Sequence, residues 1–128
     1  MKALVWLGWP LLYMLILFGL SSLPGKVPGQ EPESTAVAFA WVPPSLQNAL
    51  HLPAYGLLAW LWLRGLHRHL PLGAALAGGI LLSAGYGVLD EWHQAYVPGR
   101  FPSATDVVAD TLGAGLAAGL FRWRHENQ

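Results

Sequence analysis

The chain contains no cysteine and few charged residues. Only 11% of it is charged, and seven lysines and arginines balance seven aspartates and glutamates. The absence of cysteine excludes disulfide bonds and thiolate metal sites. The balanced charge offers no basic surface of the kind that binds nucleic acid, so we expect no nucleic-acid partner.

Apolar residues make up 54% of the chain and fall in four long segments. A helix rises about 1.5 Å per residue, so about 20 apolar residues cross a hydrocarbon core of roughly 30 Å. We therefore predict an all-α membrane protein, a single domain over residues 1–128 that forms a bundle of four transmembrane helices. The predicted helices cover about residues 3–23, 46–66, 72–96 and 104–123.

Residues at the helix ends refine these bounds. Ser45 follows two prolines and is placed to cap the second helix, and Ser103 is placed to cap the fourth. Asp106 then takes the third position of the fourth helix, where the positive helix end favours a carboxylate. We interpret His125 and Glu126, beyond the last predicted helix, as a disordered tail.

The positions of lysine and arginine predict the orientation, because short loops rich in these residues stay in the cytoplasm. They precede the first helix, flank the link from the second to the third, and close the chain: Lys2, Arg64, Arg68, Arg122 and Arg124. The opposite side has only Lys26 and Arg100. We therefore place both termini in the cytoplasm. The end of helix three and the starts of helices two and four then meet at the outer face.

Polar residues share one face of the third helix. At 100° per residue, a sector of about 100° contains Ser83, Gly87, Asp90, Glu91 and Gln94. Trp92 and Tyr96 point away from this sector and suit the lipid interface. We expect the polar sector to face the other helices.

The second and fourth helices carry matching polar faces. Asn48, His51 and Tyr55 lie at spacings of three and four on helix two. On helix four, Asp106 and Asp110 share a face with Gly113 and Ala117. Small residues allow close helix packing, and the pair Gly115 and Gly119 predicts a second close contact. Three helices thus contribute to one predicted pocket.

Ionisable groups in membrane helices are costly and therefore indicate a functional site. Each group alone also has a structural interpretation: His51 as an interfacial hydrogen-bonding residue, Asp106 as a helix-end charge and Arg100 as a loop charge. Asp110 lies one turn deeper and is expected to be protonated or hydrogen-bonded within the bundle. Their convergence favours a site.

The pattern of these residues resembles the VanZ-like family of small bacterial membrane proteins, over essentially the whole chain. The matching positions are His51-x3-Tyr55, then D-E-x2-Q-x2-V-P-G-R-x2-S-x2-D over residues 90–106, then Gly113. Two positions depart from the family pattern. Members often carry an aspartate-lysine pair near Asn48, and an asparagine at the position of Asp110.

The resemblance implies a multi-pass protein of the bacterial cytoplasmic (inner) membrane, with a role in the cell envelope and a link to resistance to the glycopeptide teicoplanin. A proposed wider grouping with membrane enzymes that act on lipid headgroups implies an activity by analogy. We expect an enzyme that transfers, exchanges or hydrolyses the headgroup of a phospholipid or polyprenyl-linked envelope precursor at the outer face of the membrane.

The expected catalytic residues are His51, Asp90, Glu91, Arg100 and Asp106. His51 acts as general base or nucleophile, with Asp106 or Asp90 orienting its ring. Glu91 donates or accepts a proton, and Arg100 holds the lipid phosphate. Hydrogen bonds to the substrate come from the expected binding residues, which are Tyr55, Gln94, Ser103 and Asp110.

Two other functions would use the same pocket. One is non-catalytic binding of an envelope lipid or glycopeptide, which changes drug access to its target. Glu91→Gln separates binding from catalysis, because it preserves shape but abolishes proton transfer. The other is proton-coupled transport, which the lack of an acidic relay in the cytoplasmic half disfavours.

We predict no cofactor and no bound metal. The alternative is a divalent ion held by the group Asp90, Glu91, His93, Asp106 and Asp110. These spacings lack a sharp metal-binding signature, and Arg100 nearby would neutralise the same carboxylates. Loss of activity with a chelator would reverse this prediction.

Overall fold

The computed structural model describes residues 2–25 and 43–128, and leaves out the side chains of residues 2–4 and 44. It contains four helices, α1 (Lys2–Ser21), α2 (Pro44–Leu66), α3 (Leu72–Gln94) and α4 (Ala104–Glu126). The described residues form no strand, which confirms the all-α prediction. Lys26, which entered the orientation argument, lies outside the described residues.

The four helices do not contribute equally to the bundle. α2, α3 and α4 pack against one another in all three pairs, and the contact between α2 and α4 is the most extensive. α1 packs mainly against α2 and touches α3, but over the described ranges it does not contact α4. The fold is therefore a three-helix core with α1 on its outside.

α2 begins two residues earlier than predicted, and the prediction that Ser45 caps it is wrong. Pro43 precedes the helix without a side-chain cap, and Pro44 is its first residue. Proline suits this position because a first-turn N–H has no helical partner to lose and the ring already fixes a helical φ. Ser45 is exposed in the first turn.

α4 begins where the sequence predicted. Ser103 precedes it, and its hydroxyl accepts a hydrogen bond of 3.2 Å from the backbone N–H of Thr105. The prediction of a disordered tail is wrong, because the helix continues to Glu126. In its last turn the His125 ring packs edge-on against His67, with ring centroids 4.8 Å apart.

The predicted polar face of α3 is confirmed. Its buried residues form a single face of the helix: Ala75, Gly79, Ser83, Gly87, Asp90, Glu91 and Gln94. Trp92 and Tyr96 lie outside it and are 65% and 74% exposed. The helix therefore turns its polar residues toward α2 and α4.

A close approach between α2 and α4 occurs at Gly113. A Cβ atom at this position would overlap the carbonyl oxygen of Leu52 on α2. Gly115 and Gly119 have open space beside them, so the predicted second close contact is not made among the described residues. The Gly113 contact fixes how α4 is turned toward α2.

The surface of the helices is apolar. α3 and α4 are long and apolar enough to cross a membrane, with mean hydropathies of 1.7 and 1.2. Only 22% and 28% of these segments are buried inside the protein, whereas the core helix of a soluble protein is mostly buried. The apolar part of α1, Val5–Ser21, is shorter. These features indicate a membrane protein.

Candidate active site

The polar cluster lies where the start of α2, the end of α3 and the start of α4 meet. His51 is in the second turn of α2, Glu91 is in the last turn of α3, and Asp106 is in the first turn of α4. Four carboxylic residues are nearly or fully buried: Asp90 at 6%, Glu91 at 6%, Asp106 at 5% and Asp110 at 0% exposure. Buried carboxyl groups are costly unless partners stabilise them, so their contacts define the site.

His51 is held by Asp110. Its Nδ1 lies 2.9 Å from Oδ1 of Asp110, and the histidine side chain is 15% exposed. Nδ1–H donates this bond when the carboxylate accepts it, which leaves Nε2 for a substrate or ion. The sequence pattern had suggested Asp106 or Asp90 as the orienting residue. The structure gives this contact to Asp110 instead.

Glycine on α3 makes room for the Asp110 carboxyl group. A Cβ atom at Gly87 would lie 2.5 Å from Oδ2 of Asp110 and 3.0 Å from its Cβ. Oδ2 itself is buried and has no hydrogen-bond partner among the described residues. Asp110 therefore fits between His51 on one side and the bare backbone of α3 on the other.

Glu91 connects the end of α3 to the start of α4. Its Oε2 accepts a hydrogen bond of 2.7 Å from the backbone N–H of Ser103. Its Oε1 is buried and lacks a partner within the part of the chain that the structure describes. One carboxyl oxygen is thus fixed, and the other is left for a ligand.

Asp106 completes the centre of the cluster. It occupies the third position of α4, as predicted, and its carboxyl group interacts electrostatically with His51. One ligand atom from each of His51, Glu91 and Asp106 lies within 4.8 Å of the other two. An imidazole and two carboxyl groups at this distance can share one substrate group or one cation.

A family model described as VanZ/LLP1 matches residues 9–125, which include this whole cluster. The chain belongs to the VanZ/LLP1 family. The resemblance found in the sequence is therefore confirmed. No curated protein and no solved structure gives a match.

A second group of polar residues in this VanZ/LLP1 chain lies beside the first. Asp90 accepts a 3.0 Å hydrogen bond from Nε2 of Gln94 through Oδ2, and its Oδ1 is buried with no partner in residues 2–25 and 43–128. The Tyr55 ring stacks on His51, with centroids 5.8 Å apart and planes 3° apart. Its buried hydroxyl interacts electrostatically with Asp90 but makes no well-formed hydrogen bond. Gln94 therefore positions Asp90, while Tyr55 supports one face of the histidine ring.

Arg100 connects α1 and α2 to the link between α3 and α4. Nε donates to the carbonyl oxygen of Leu23 at 3.1 Å, Nη1 donates to Oε1 of Gln47 at 2.9 Å, and Nη2 reaches the carbonyl of Leu20 at 3.4 Å. Gln47 was not among the predicted site residues. Its position one turn before His51 on α2 is the signal that would have found it.

His93 also contacts α1, and among the described residues it is not part of the cluster of His51, Glu91 and Asp106. Its Nε2 lies 2.9 Å from the hydroxyl of Ser22, and its ring packs against Phe18 with centroids 4.5 Å apart. The Ser22 hydroxyl lies 2.6 Å from the carbonyl oxygen of Phe18, to which it donates its one proton, so it accepts from Nε2–H of His93. In the VanZ/LLP1 fold described here, His93 thus fastens α1 to the end of α3.

Proposed function

We propose that this VanZ/LLP1 protein is a membrane enzyme that acts on the headgroup of a phospholipid or polyprenyl-linked envelope precursor. The observation that carries the proposal is the pair of His51 with the fully buried Asp110, beside Glu91, whose Oε1 has no partner among the described residues. A base held in one orientation next to an acid is the arrangement that acid–base catalysis requires.

The proposed reaction begins at Nε2 of His51. Nε2 takes the proton of an incoming hydroxyl or water, and the oxygen of that group forms a bond to the headgroup phosphorus. The bond from phosphorus to the leaving oxygen breaks, and protonated Glu91 gives that oxygen its proton. Asp110 holds the imidazole and stabilises its positive charge.

Arg100 has the donors that a lipid phosphate requires. A guanidinium group has five N–H bonds, and the contacts described above use three of them. The other two remain for phosphate oxygens, to which arginine binds well because its donors form a rigid fork. In this proposal Ser103 and Gln94 add hydrogen bonds to the headgroup.

We further propose that all four helices cross the bacterial cytoplasmic membrane, with both termini in the cytoplasm and the site at the outer face. The basic residues at the end of the bundle away from the site support this orientation. Arg64 and Arg68 lie over the Trp6 ring, 5.4 and 3.9 Å from its centroid, an arrangement that suits a membrane interface. The site would then reach envelope precursors after they are translocated.

Mass-spectrometric profiling of envelope lipids tests the proposal. Deletion cells are complemented with wild type, His51→Ala, Glu91→Gln or the control Glu126→Gln, after the membrane level of each protein has been matched. Glu126 is exposed at the far end of α4. Wild type and Glu126→Gln should restore a headgroup change that the other two variants do not restore. Identical lipids in all strains would overturn the proposal.

Teicoplanin susceptibility of the same strains distinguishes the non-catalytic alternative. A catalytic role predicts that Glu91→Gln loses the lipid change and any resistance together. If Glu91→Gln keeps resistance while lipid composition never changes, the pocket binds an envelope lipid or glycopeptide without turning it over.

A further inference from the structure

We propose that His51, Glu91 and Asp106 form a binding site for one divalent transition-metal ion, with Mn²⁺ and Zn²⁺ as the best-suited ions. The site itself is inferred from the geometry of three helix ends. Its part in headgroup chemistry rests on the proposed function above.

The three side chains are close enough to share an ion. One ligand atom from each residue lies within 4.8 Å of the other two, so a common point exists at most about 2.8 Å (4.8 divided by √3) from those three atoms. Oxygen and nitrogen ligands bind divalent ions at about 2.0–2.6 Å. Side-chain movements of less than about 1 Å would therefore complete the coordination.

The contact between His51 and Asp110 is the supporting contact that metal-bound histidines generally have. A histidine ligand usually donates its other ring N–H to a carboxylate, which fixes the tautomer and raises the basicity of the ligating nitrogen. Here Nδ1 lies 2.9 Å from Oδ1 of the fully buried Asp110. Nε2 is the atom left to bind the ion.

Glu91 provides an independent sign of a ligand. The residue is 94% buried, since 6% of it is exposed, and its Oε1 has no partner among the described residues. Buried oxygens of this kind normally bind a protein group, a water or an ion, because leaving them unsatisfied is costly. The hydrogen bond from Ser103 fixes Oε2 and so limits the positions that Oε1 can take.

The structure also weighs against neutralisation of Glu91 and Asp110 by Arg100. The hydrogen bonds of its guanidinium group go to Leu20, Leu23 and Gln47. In residues 2–25 and 43–128, no lysine or arginine forms an ion pair with Glu91 or Asp110. A cation would therefore meet buried negative charge that arginine does not neutralise.

The ligand set favours particular ions. One imidazole with two carboxylates suits Mn²⁺ and Zn²⁺ better than Ca²⁺ or Mg²⁺, which prefer sites built from oxygen alone. Thiolate ligands are excluded because the chain has no cysteine. Such an ion would polarise phosphoryl oxygens and activate water. With the ion bound, His51 and Glu91 would be its ligands and would not act as the general base and the proton donor of the metal-free reaction.

Titration of the purified full-length protein in detergent with Mn²⁺ tests the site, with free Mn²⁺ followed by electron paramagnetic resonance and Zn²⁺ added as competitor. Wild type and Glu126→Gln should bind one ion per chain. Glu91→Gln and Asp106→Asn should bind at least about 10-fold more weakly, and Asp110→Asn about 10- to 100-fold more weakly, the usual effect of losing a supporting contact.

The melting temperature, measured with and without Mn²⁺, shows whether a variant that binds weakly is still folded. Saturating Mn²⁺ should raise the Tm of wild type and of Glu126→Gln, because an ion that binds only the folded state stabilises it. At the same Mn²⁺ concentration the Tm of Glu91→Gln should rise by less than that of wild type, because its binding is weaker. Absence of saturable binding to wild type, or equal binding by Glu91→Gln, would overturn the metal site.

Lipid profiling of the same variants distinguishes failure of the metal site from failure of the proposed headgroup activity. Ion binding that depends on Glu91, together with unchanged lipids in all strains, supports the metal site and overturns the headgroup activity. A headgroup change restored by a protein that binds neither Mn²⁺ nor Zn²⁺ supports the activity, with His51 as base, and overturns the metal site.

Discussion

Replacement of Gly87 by alanine should destabilise the protein, although alanine is the better helix former. The new Cβ would lie 2.5 Å from Oδ2 of Asp110, whereas ordinary van der Waals contact requires about 3.5 Å. The carboxyl group or α3 must therefore shift by about 1 Å. Overpacking of this size costs about 1–3 kcal/mol, and weakening of the bond to His51 adds to it.

The control is Gly85→Ala on the same helix, where a Cβ would meet nothing within 4 Å. In both variants alanine favours the helix over glycine by about 1 kcal/mol, so the difference between their free energies of unfolding isolates the cost of the clash. We expect Gly87→Ala to be less stable than Gly85→Ala by about 2 kcal/mol. The free energy of unfolding is measured by SDS titration in mixed micelles.

A double-mutant cycle identifies the cause. An Asp110→Ala background removes the 2.5 Å contact with Oδ2 and leaves only the 3.0 Å approach of the two Cβ atoms, so the stability difference between Gly87→Ala and Gly85→Ala should shrink. If the two glycine variants are equally stable in the wild-type background, or if Asp110→Ala leaves their difference intact, the packing of Asp110 against α3 is refuted.

Three further predictions use other contacts. Ser103→Ala removes the cap of α4 and should lower the free energy of unfolding by about 1 kcal/mol; no change would mean that the cap is not formed. Arg100→Lys should cost about 2 kcal/mol in the same titration, because an ammonium group cannot match the fork that binds Gln47 and two carbonyls; unchanged stability would contradict this contact. The cysteine-free chain also permits a test of orientation in whole cells. An impermeant maleimide should label Phe101→Cys and not Glu126→Cys, and the reverse pattern would invert the proposed topology.

The sequence predicted which residues form the site better than it predicted which of them contact one another. The buried face of α3 follows from a period of 100° per residue, because a helix that packs on one side must bury that side. The partner of His51 depends on how α4 is rotated against α2. That rotation is set by the contact of Gly113 with the Leu52 carbonyl, which no pattern within one helix reveals. Asp110 therefore took a role expected of Asp106 or Asp90.

The errors at the helix ends have physical causes too. The predicted start of α2 lay after the pair Pro43-Pro44, but proline is also a good first residue of a helix. The contacts of Arg100 follow from a general property of helices. Carbonyls at the C-terminal end of a helix attract basic groups, and Arg100 reaches the carbonyl of Leu20 in the last turn of α1 and that of Leu23 just beyond it, although the sequence places Arg100 far away along the chain.

The hydrogen bond from the Ser103 N–H to Glu91 has a consequence for conformational coupling. The same carboxyl group faces the proposed ligand with one oxygen and holds the residue that starts α4 with the other. A ligand that draws Glu91 toward itself should therefore also shift Ser103 and the link between α3 and α4, because the hydrogen bond joins them. Phe101, two residues before Ser103 and 77% exposed, lies on that link. A fluorophore attached at position 101 would consequently report occupancy of the pocket from outside it.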